Sequence, residues 1–296
     1  MRLVTFARGD GSSGGRAADE SLSIGALVDG GQSVLEFGRL THDDDLLAWL
    51  DLDGPHFDQA RRLHASPPQS AILARKDVRL RAPVPRPGKL VAIGLNYRDH
   101  AAESKMPVPE RPVVFSKFTT SVVGPGDAIV IPPSSQKVDY EAELAVVIGR
   151  RVKHVGRDVA ARAILGYTIV NDVSARDFQF GDGQWQRGKS CDTFAPMGPW
   201  IATTDEIADP QQLAIKLRVN SRTLQSSNTN QMVFGAVDLV QYVSETITLE
   251  PGDVIATGTP SGVGFARKPP VFLAPGDVVD VEIDGLGVLT NPVEAG

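Results

Sequence analysis

Cysteine occurs once in this chain of 296 residues, at Cys191. An intrachain disulfide is therefore excluded, as is a zinc site built on paired thiolates, and a reducing, cytoplasmic setting is expected. Net positive charge is also absent. Thirty Lys and Arg stand against 36 Asp and Glu, a formal charge of -6, so there is no general attraction to nucleic acid or to an anionic membrane, and a small molecule is the expected partner. No apolar run approaches the roughly 18 residues of a membrane-crossing helix. The opening MRLVTFARGD breaks its apolar stretch with Arg8 and Asp10 before a signal-peptide core accumulates.

What is present is ordinary globular material, 42% hydrophobic and 22% charged, with 29 Gly and 21 Pro marking many turns. Short apolar runs between Gly and Ser clusters (LVTF, SIGALV, SVLEF) predict a small β-rich N-terminal lobe. Residues 43–63, DDDLLAWLDLDGPHFDQARRL, read as helical pieces broken at Gly-Pro, with acids available to the first turn. Proline-bearing HASPPQS and RAPVPRPGK then mark a boundary, dividing a small α+β domain, residues 1–70, from a larger one, residues 71–296. Beyond it LVAIGL, PVVFSKF, AIVIPP, LAVVIG, YTIVND, IKLRVN, DVIATG and VVDVEID read as strands. Helical patterns are few (residues 99–105, 159–164 and 237–245), which argues for a β-rich α+β fold over a doubly wound sheet.

In VDYEAELAVVIG, Glu141 and Glu143 are two apart on a predicted strand and project from one face. Asp172 ends the run YTIVND, where a strand would deliver it to a loop-lined rim. Three carboxylates could share one cation, and oxygen-only ligation suits Mg2+ or Mn2+. The alternative is a half-exposed strand whose glutamates face solvent. His100 and Glu103 are three apart in NYRDHAAESK, so one helical turn would pair them as a water-activating base, or else as a surface salt bridge. Lys117 and Lys189 sit among apolar or Gly-flanked residues, as anion-binding groups or solvated side chains. ATGTPSGVG offers backbone amides and hydroxyls for an anionic oxygen, without the lysine or spacing of a nucleotide-binding loop. Phe178, Phe180, Trp185 and Phe234 either line a pocket or fill the core.

In this order, GLNYRDHAAE, FSKFTTSVVGPGD, VDYEAELAVVIGR, GYTIVNDVSARD, QWQRGKSCDTFAPMGPW and IATGTPSGVG resemble the fumarylacetoacetate hydrolase family over residues 90–288. The resemblance implies curved mixed sheets rolled into a barrel-like core, a variable N-terminal domain and a homodimer. It implies that Glu141, Glu143 and Asp172 are metal ligands, that His100 and Glu103 form the water-activating dyad on a mobile lid, and that Lys189 is an active-site lysine. Arg176, Gln179 and Thr259 match substrate-pocket positions. One departure is clear: large animal-type members carry a fourth ligand Asp where this chain has Gly94, Leu95 and Asn96, so it is more similar to the shorter acylpyruvase-like branch.

The reaction expected from this resemblance is metal-dependent cleavage of a C–C bond in a small 2,4-dioxo acid, giving pyruvate and a carboxylic acid. His100, oriented by Glu103, would deprotonate the attacking water while residues 106–112, MPVPERP, close as a loop over the substrate. The alternative on the same site is decarboxylation of oxaloacetate or isomerisation of a 2-hydroxydienoate. A reading from another class, a metal-stabilised binding protein without turnover, would leave every 2-oxo acid unconsumed.

Overall fold

The apolar runs form strands in a computed structural model of the chain, which describes residues 1–9, 21–40 and 45–296. The Gly/Ser cluster at residues 11–15, read as a turn, and Asp43 and Asp44, read as first-turn acids, lie outside the described residues. Two helices, Asp45–Leu50 and Pro55–Ala65, follow, the second opening on Pro55 after the Gly54 break.

Among the described residues the main sheet has twelve strands. Ten of them form a path, Ile72–Ala74, Ser33–Arg39, Leu22–Val28, Arg2–Arg8, Ala195–Thr203, Ile164–Asn171, Ala142–Ile148, Val254–Ala256, Leu90–Gly94 and Val113–Lys117, while Val78–Leu80 pairs with Arg2–Arg8 and Val122–Val123 with Ala195–Thr203 off it. Arg2 pairs with Ala202 and Leu3 with Ile201, so the N-terminal strands extend the sheet that carries the motifs. The path is antiparallel except where Val254–Ala256 lies parallel to Leu90–Gly94. A second sheet of five strands runs Arg222–Asn228, Ala214–Val219, Val278–Ile283, Gly287–Ala295 and Ile129–Ile131. The result is the expected β-rich α+β fold with mixed sheets.

The Ala142–Ile148 strand explains where the core sits. All seven residues are buried. Leu144, Val146 and Ile148 enter one apolar cluster, while Ala145 and Val147 enter the other. A strand covered on both faces needs apolar residues at nearly every position, which AELAVVI supplies apart from Glu143. The Ala236–Ser244 helix buries Leu239, Val240 and Val243 on one side, and the Asp238 carboxylate accepts from the Gly235 amide at its start. Among the described residues no helix is long and apolar enough to cross a membrane.

Neighbouring strands approach closely at Gly166, on Ile164–Asn171. A Cβ there would run into the Ala202 carbonyl oxygen and come within 2.9 Å of Thr203 Cα. Both obstacles are backbone of the paired strand and cannot rotate away. Gly166→Ala is therefore expected to cost about 1–3 kcal/mol of stability, read from the midpoint of urea unfolding.

Candidate active site

Strand register assembles the three predicted ligands. Ala142 pairs with Asn171 and Glu143 with Val170, and the Asp172 amide donates to the Glu141 carbonyl at 2.9 Å. Asn171 Oδ1 accepts from the Glu141 amide at 3.0 Å and locks the strand ends together. Glu141, Glu143 and Asp172 each place a carboxylate oxygen within 4.8 Å of the others, and all three are buried. Burial excludes the solvent-facing alternative for Glu141 and Glu143.

Three cations enter the same cluster. Lys189 Nζ lies 2.8 Å from both Glu141 Oε2 and Asp172 Oδ2. Lys117 Nζ donates to Asp172 Oδ1 at 2.5 Å and to the Val173 carbonyl at 3.0 Å. It is completely buried, so the solvated-side-chain reading of Lys117 does not hold. Arg176 spans three partners: Nη2 to Glu141 Oε1 at 2.6 Å, Nε to Asp139 Oδ2 at 2.9 Å and Nη1 to Gln179 Oε1 at 2.8 Å. Its guanidinium also lies over the Phe265 ring, 4.4 Å from the centroid.

These contacts divide the carboxylates electrostatically. Burial alone would raise Glu141, but the Lys189 ammonium and the Arg176 guanidinium outweigh it and hold its pKa at about 2. Among the described residues Glu143 forms no ion pair, and its one hydrogen-bond donor is the Gly258 amide, at 2.8 Å. Burial, and then the charges of Asp172 and Glu141, push its carboxyl well above the usual range. Burial works against both lysines. Lys189 is raised overall because Asp172 and Glu141 outweigh the penalty, whereas Lys117, with one carboxylate and the repulsion of Lys189, is lowered. A divalent cation fits this arrangement: the donors are oxygen only, each carboxylate oxygen keeps a lone pair, and Glu143 is the member that lacks a counter-charge.

The dyad lies on a helix as the spacing predicts. Arg98–Glu103 brings His100 Nδ1 to 3.5 Å from Glu103 Oε2. Both Glu103 oxygens accept from the Gly262 amide at 3.0 Å. Burial would raise Glu103, but His100 and that amide lower its pKa. His100 is buried, and its Nδ1 makes no hydrogen bond of full geometry. Residues 106–112 continue from this helix with Met106 and Val108 exposed.

Thr259 is buried beside the cluster's Gly258, and its hydroxyl is held by Gln225 Nε2 at 2.9 Å. Phe178 and Phe234 pack against the main core, Trp185 meets Phe115 edge-on, and Phe180 is largely exposed against Phe265. Sequence reasoning missed Asp139 and Gln225. Asp139 is fully buried, and its carboxylate binds Arg176 and accepts from the amides of Tyr140, Gly264 and Phe265. The alternation Asp139, Glu141, Glu143 was visible in the sequence, whereas nothing local marks Gln225. Asn96 serves the fold, its Nδ2 reaching the carbonyls of Phe234 and Thr257.

Residues 89–294 match the model of the fumarylacetoacetate (FAA) hydrolase C-terminal domain. The chain belongs to the fumarylacetoacetate hydrolase family. One family relative, the mitochondrial oxaloacetate tautomerase FAHD2A of Bos taurus, is 46% identical over 99% of this chain and 91% of its own. Among solved structures of the family, the 5-carboxymethyl-2-hydroxymuconate delta-isomerase from Mycobacterium smegmatis is 37% identical, with a TM-score of 0.78 over the whole of both chains. The fumarylacetoacetate hydrolase of Exiguobacterium antarcticum is 36% identical, also with a TM-score of 0.78, over 99% of this chain and 100% of its own. The family is one of divalent-metal-dependent enzymes, and the buried triad is where this member could hold its ion.

Two tests follow from the charge distribution. Lys189→Met leaves Glu141 and Asp172 without their shared ammonium, and in metal-free buffer near neutral pH a loss of about 3–5 kcal/mol is expected in denaturant unfolding. Because the folded Glu141 pKa of about 2 lies below the ordinary 4.5, its contribution is fully present above pH 4.5 and fades as the pH falls towards 2. The difference between wild type and variant should narrow over that window. Separately, Mg2+ or Mn2+ at about 100 times its dissociation constant should add about 2.7 kcal/mol, seen as a higher melting temperature that chelator reverses. Retention of that shift in Glu143→Ala would reject the assigned ligands.

Proposed function

We propose that this chain is a divalent-metal-dependent enzyme that moves a proton between the enol and keto forms of a small 2-oxo dicarboxylic acid of the oxaloacetate type. The observation that carries the reading is a buried cluster of four carboxylates, Asp139, Glu141, Glu143 and Asp172, against three cations, Lys117, Lys189 and Arg176, with an imidazole–carboxylate dyad in the same fold region. With all four carboxylates ionised, a divalent ion would turn that balance from one negative charge in excess to one positive, which favours an anionic substrate. Mg2+ or Mn2+ is the ion proposed, held by Glu141, Glu143 and Asp172. When bound it supplies the Lewis-acid charge that stabilises an enolate.

Conversion of enol to keto removes a proton from the C2 hydroxyl and places one on C3. It requires a group that can accept a proton and return it near neutral pH, which imidazole does. Nδ1 of His100 faces Glu103, and the other ring nitrogen is the one assigned to the substrate. Glu103, fastened to the Gly262 amide, fixes the ring and balances the imidazolium that forms. Lys189 and Arg176 are assigned to the charge of the substrate carboxylate. The names of the bovine tautomerase and the mycobacterial delta-isomerase support a proton shift beside a carbonyl as the shared chemistry.

A second reading is favoured by the dyad itself. His100 oriented by Glu103 can deprotonate a water for attack at the C4 carbonyl of a 2,4-dioxo acid, and breaking the C3–C4 bond then gives pyruvate and a carboxylic acid. A homodimer is proposed for either reading, consistent with Val113 and Val114 exposed on the edge strand of the main sheet and Phe118 beside them.

The enol absorbance of freshly dissolved oxaloacetate, followed with added metal and then with excess chelator, tests the first reading. A metal-dependent loss of enol well above the buffer rate, without matching carbon dioxide or pyruvate, is expected. His100→Ala should slow it about 10²–10⁴-fold. Folded, metal-binding protein that leaves the enol decay unchanged would overturn tautomerisation, and stoichiometric pyruvate from an acylpyruvate would establish the hydrolase instead.

A further inference from the structure

The dyad helix and the Thr259 loop share a support outside the motifs, the Arg222–Asn228 strand at the edge of the five-stranded sheet. Gln225 and Ser227, two apart, project from the same face of it. Gln225 is fully buried. Its Oε1 accepts from the Ala142 amide at 2.9 Å, between the two ligand glutamates. Its Nε2 donates at 2.9 Å to both the Pro260 carbonyl and Thr259 Oγ1. The direction of this amide is settled by chemistry, because a backbone N–H only donates and a carbonyl only accepts. Thr259 Oγ1 must therefore accept from Gln225. Its own proton has no hydrogen-bonded acceptor among the described residues.

Ser227 serves the other half of the site. Its Oγ donates to Asp99 Oδ2 at 2.6 Å, and Asp99 Oδ1 accepts from the His100 amide at 2.7 Å. The helix that carries the dyad has only six residues, and its N-cap, Tyr97, makes no side-chain cap. One and a half turns do not hold themselves in water, so contacts from outside set the direction of His100.

We propose that Gln225 and Ser227 are positioning residues for the reaction. Gln225 keeps the Thr259 hydroxyl as a free donor for an oxygen of the substrate carboxylate or carbonyl, and Ser227, through Asp99, sets the orientation of His100. The assignment rests on the 2-oxo acid reading of the site. The edge strand thereby ties the metal-ligand strand, the anion-binding loop and the dyad into one geometry, although none of its side chains touches the reacting atoms.

The test combines kinetics with calorimetric titration of oxalate, a dianion shaped like the pyruvate enolate, into Mg2+-loaded protein. Ser227→Ala should lower kcat about 10–100-fold with KM and melting temperature little changed, and Ser227→Thr should restore it. Gln225→Met and Thr259→Val should each weaken oxalate binding, and the double variant should bind no more weakly than Thr259→Val alone, because the amide acts through that hydroxyl. Additive losses, or an unchanged kcat in Ser227→Ala, would overturn the proposal. Should Gln225→Met fail to fold, Thr259→Ser decides the donor role: binding restored towards wild type supports it, and a loss equal to that of Thr259→Val sinks it. Intact oxalate binding without turnover of any 2-oxo acid would defeat the proposed reaction, and the non-additivity of the Gln225 and Thr259 variants would still decide the brace.

Discussion

Asp139, Glu141, Glu143 and Asp172 are buried together, and burial of an ionised carboxylate is unfavourable unless donors or opposite charges replace the lost water. Most of the architecture around the site answers that constraint. Asp139 is satisfied by three backbone amides and Arg176, Glu141 by Arg176 and Lys189, and Asp172 by Lys117 and Lys189. Glu143 has one amide. Among the described residues the uneven distribution leaves Glu143 without a counter-charge, a demand that a divalent ion would meet.

The same constraint explains why Glu141, Glu143 and Asp172 stand on, or directly at the ends of, the most enclosed strands of the main sheet. Charges this close need fixed separations, and the ladder between Ala142–Ile148 and Ile164–Asn171 supplies them from a layer packed on both faces. The proposed acid–base pair, His100 and Glu103, has the opposite requirement. It sits on a short helix that continues into residues 106–112, where Met106 and Val108 are exposed and the packing is looser, as admission of a substrate would require. Hydrogen bonds from Gly262 to Glu103, from Ser227 to Asp99 and from Arg98 to the Met232 carbonyl fasten the helix to its surroundings.

This division also bears on the range of reactions in the family. On the proposed function, the carboxylates with their ion and the lysines would provide a charged frame that favours an enolate whatever its origin. On the proposed readings, whether His100 would take a proton from an enol or from water depends on what the space beside residues 106–112 admits. The two proposed readings thus use one frame and differ in what the space beside His100 and Glu103 would admit.

Periodicity and spacing were enough to read most strands, three of the five α-helices described between residues 71 and 296, the pairing of His100 with Glu103 and the common face of Glu141 and Glu143, because each depends on residues within a few positions of one another. Burial was not legible in the same way. Glu143 on a half-exposed strand and Glu143 between two cores have the same local sequence, and Lys117 reads as solvated until Asp172, 55 positions on, is seen beside it. Gln225 lies in the polar stretch LQSSNTNQ, which looks like a turn, and its importance comes from Ala142, Thr259 and Pro260, all distant in the chain. The sequence by itself determined which groups could do chemistry and in what local order they are presented. Tertiary structure alone decided which of them share a counter-charge, because register between strands far apart in the chain sets those distances, and electrostatic balance in a buried site depends on every charge within a few ångströms.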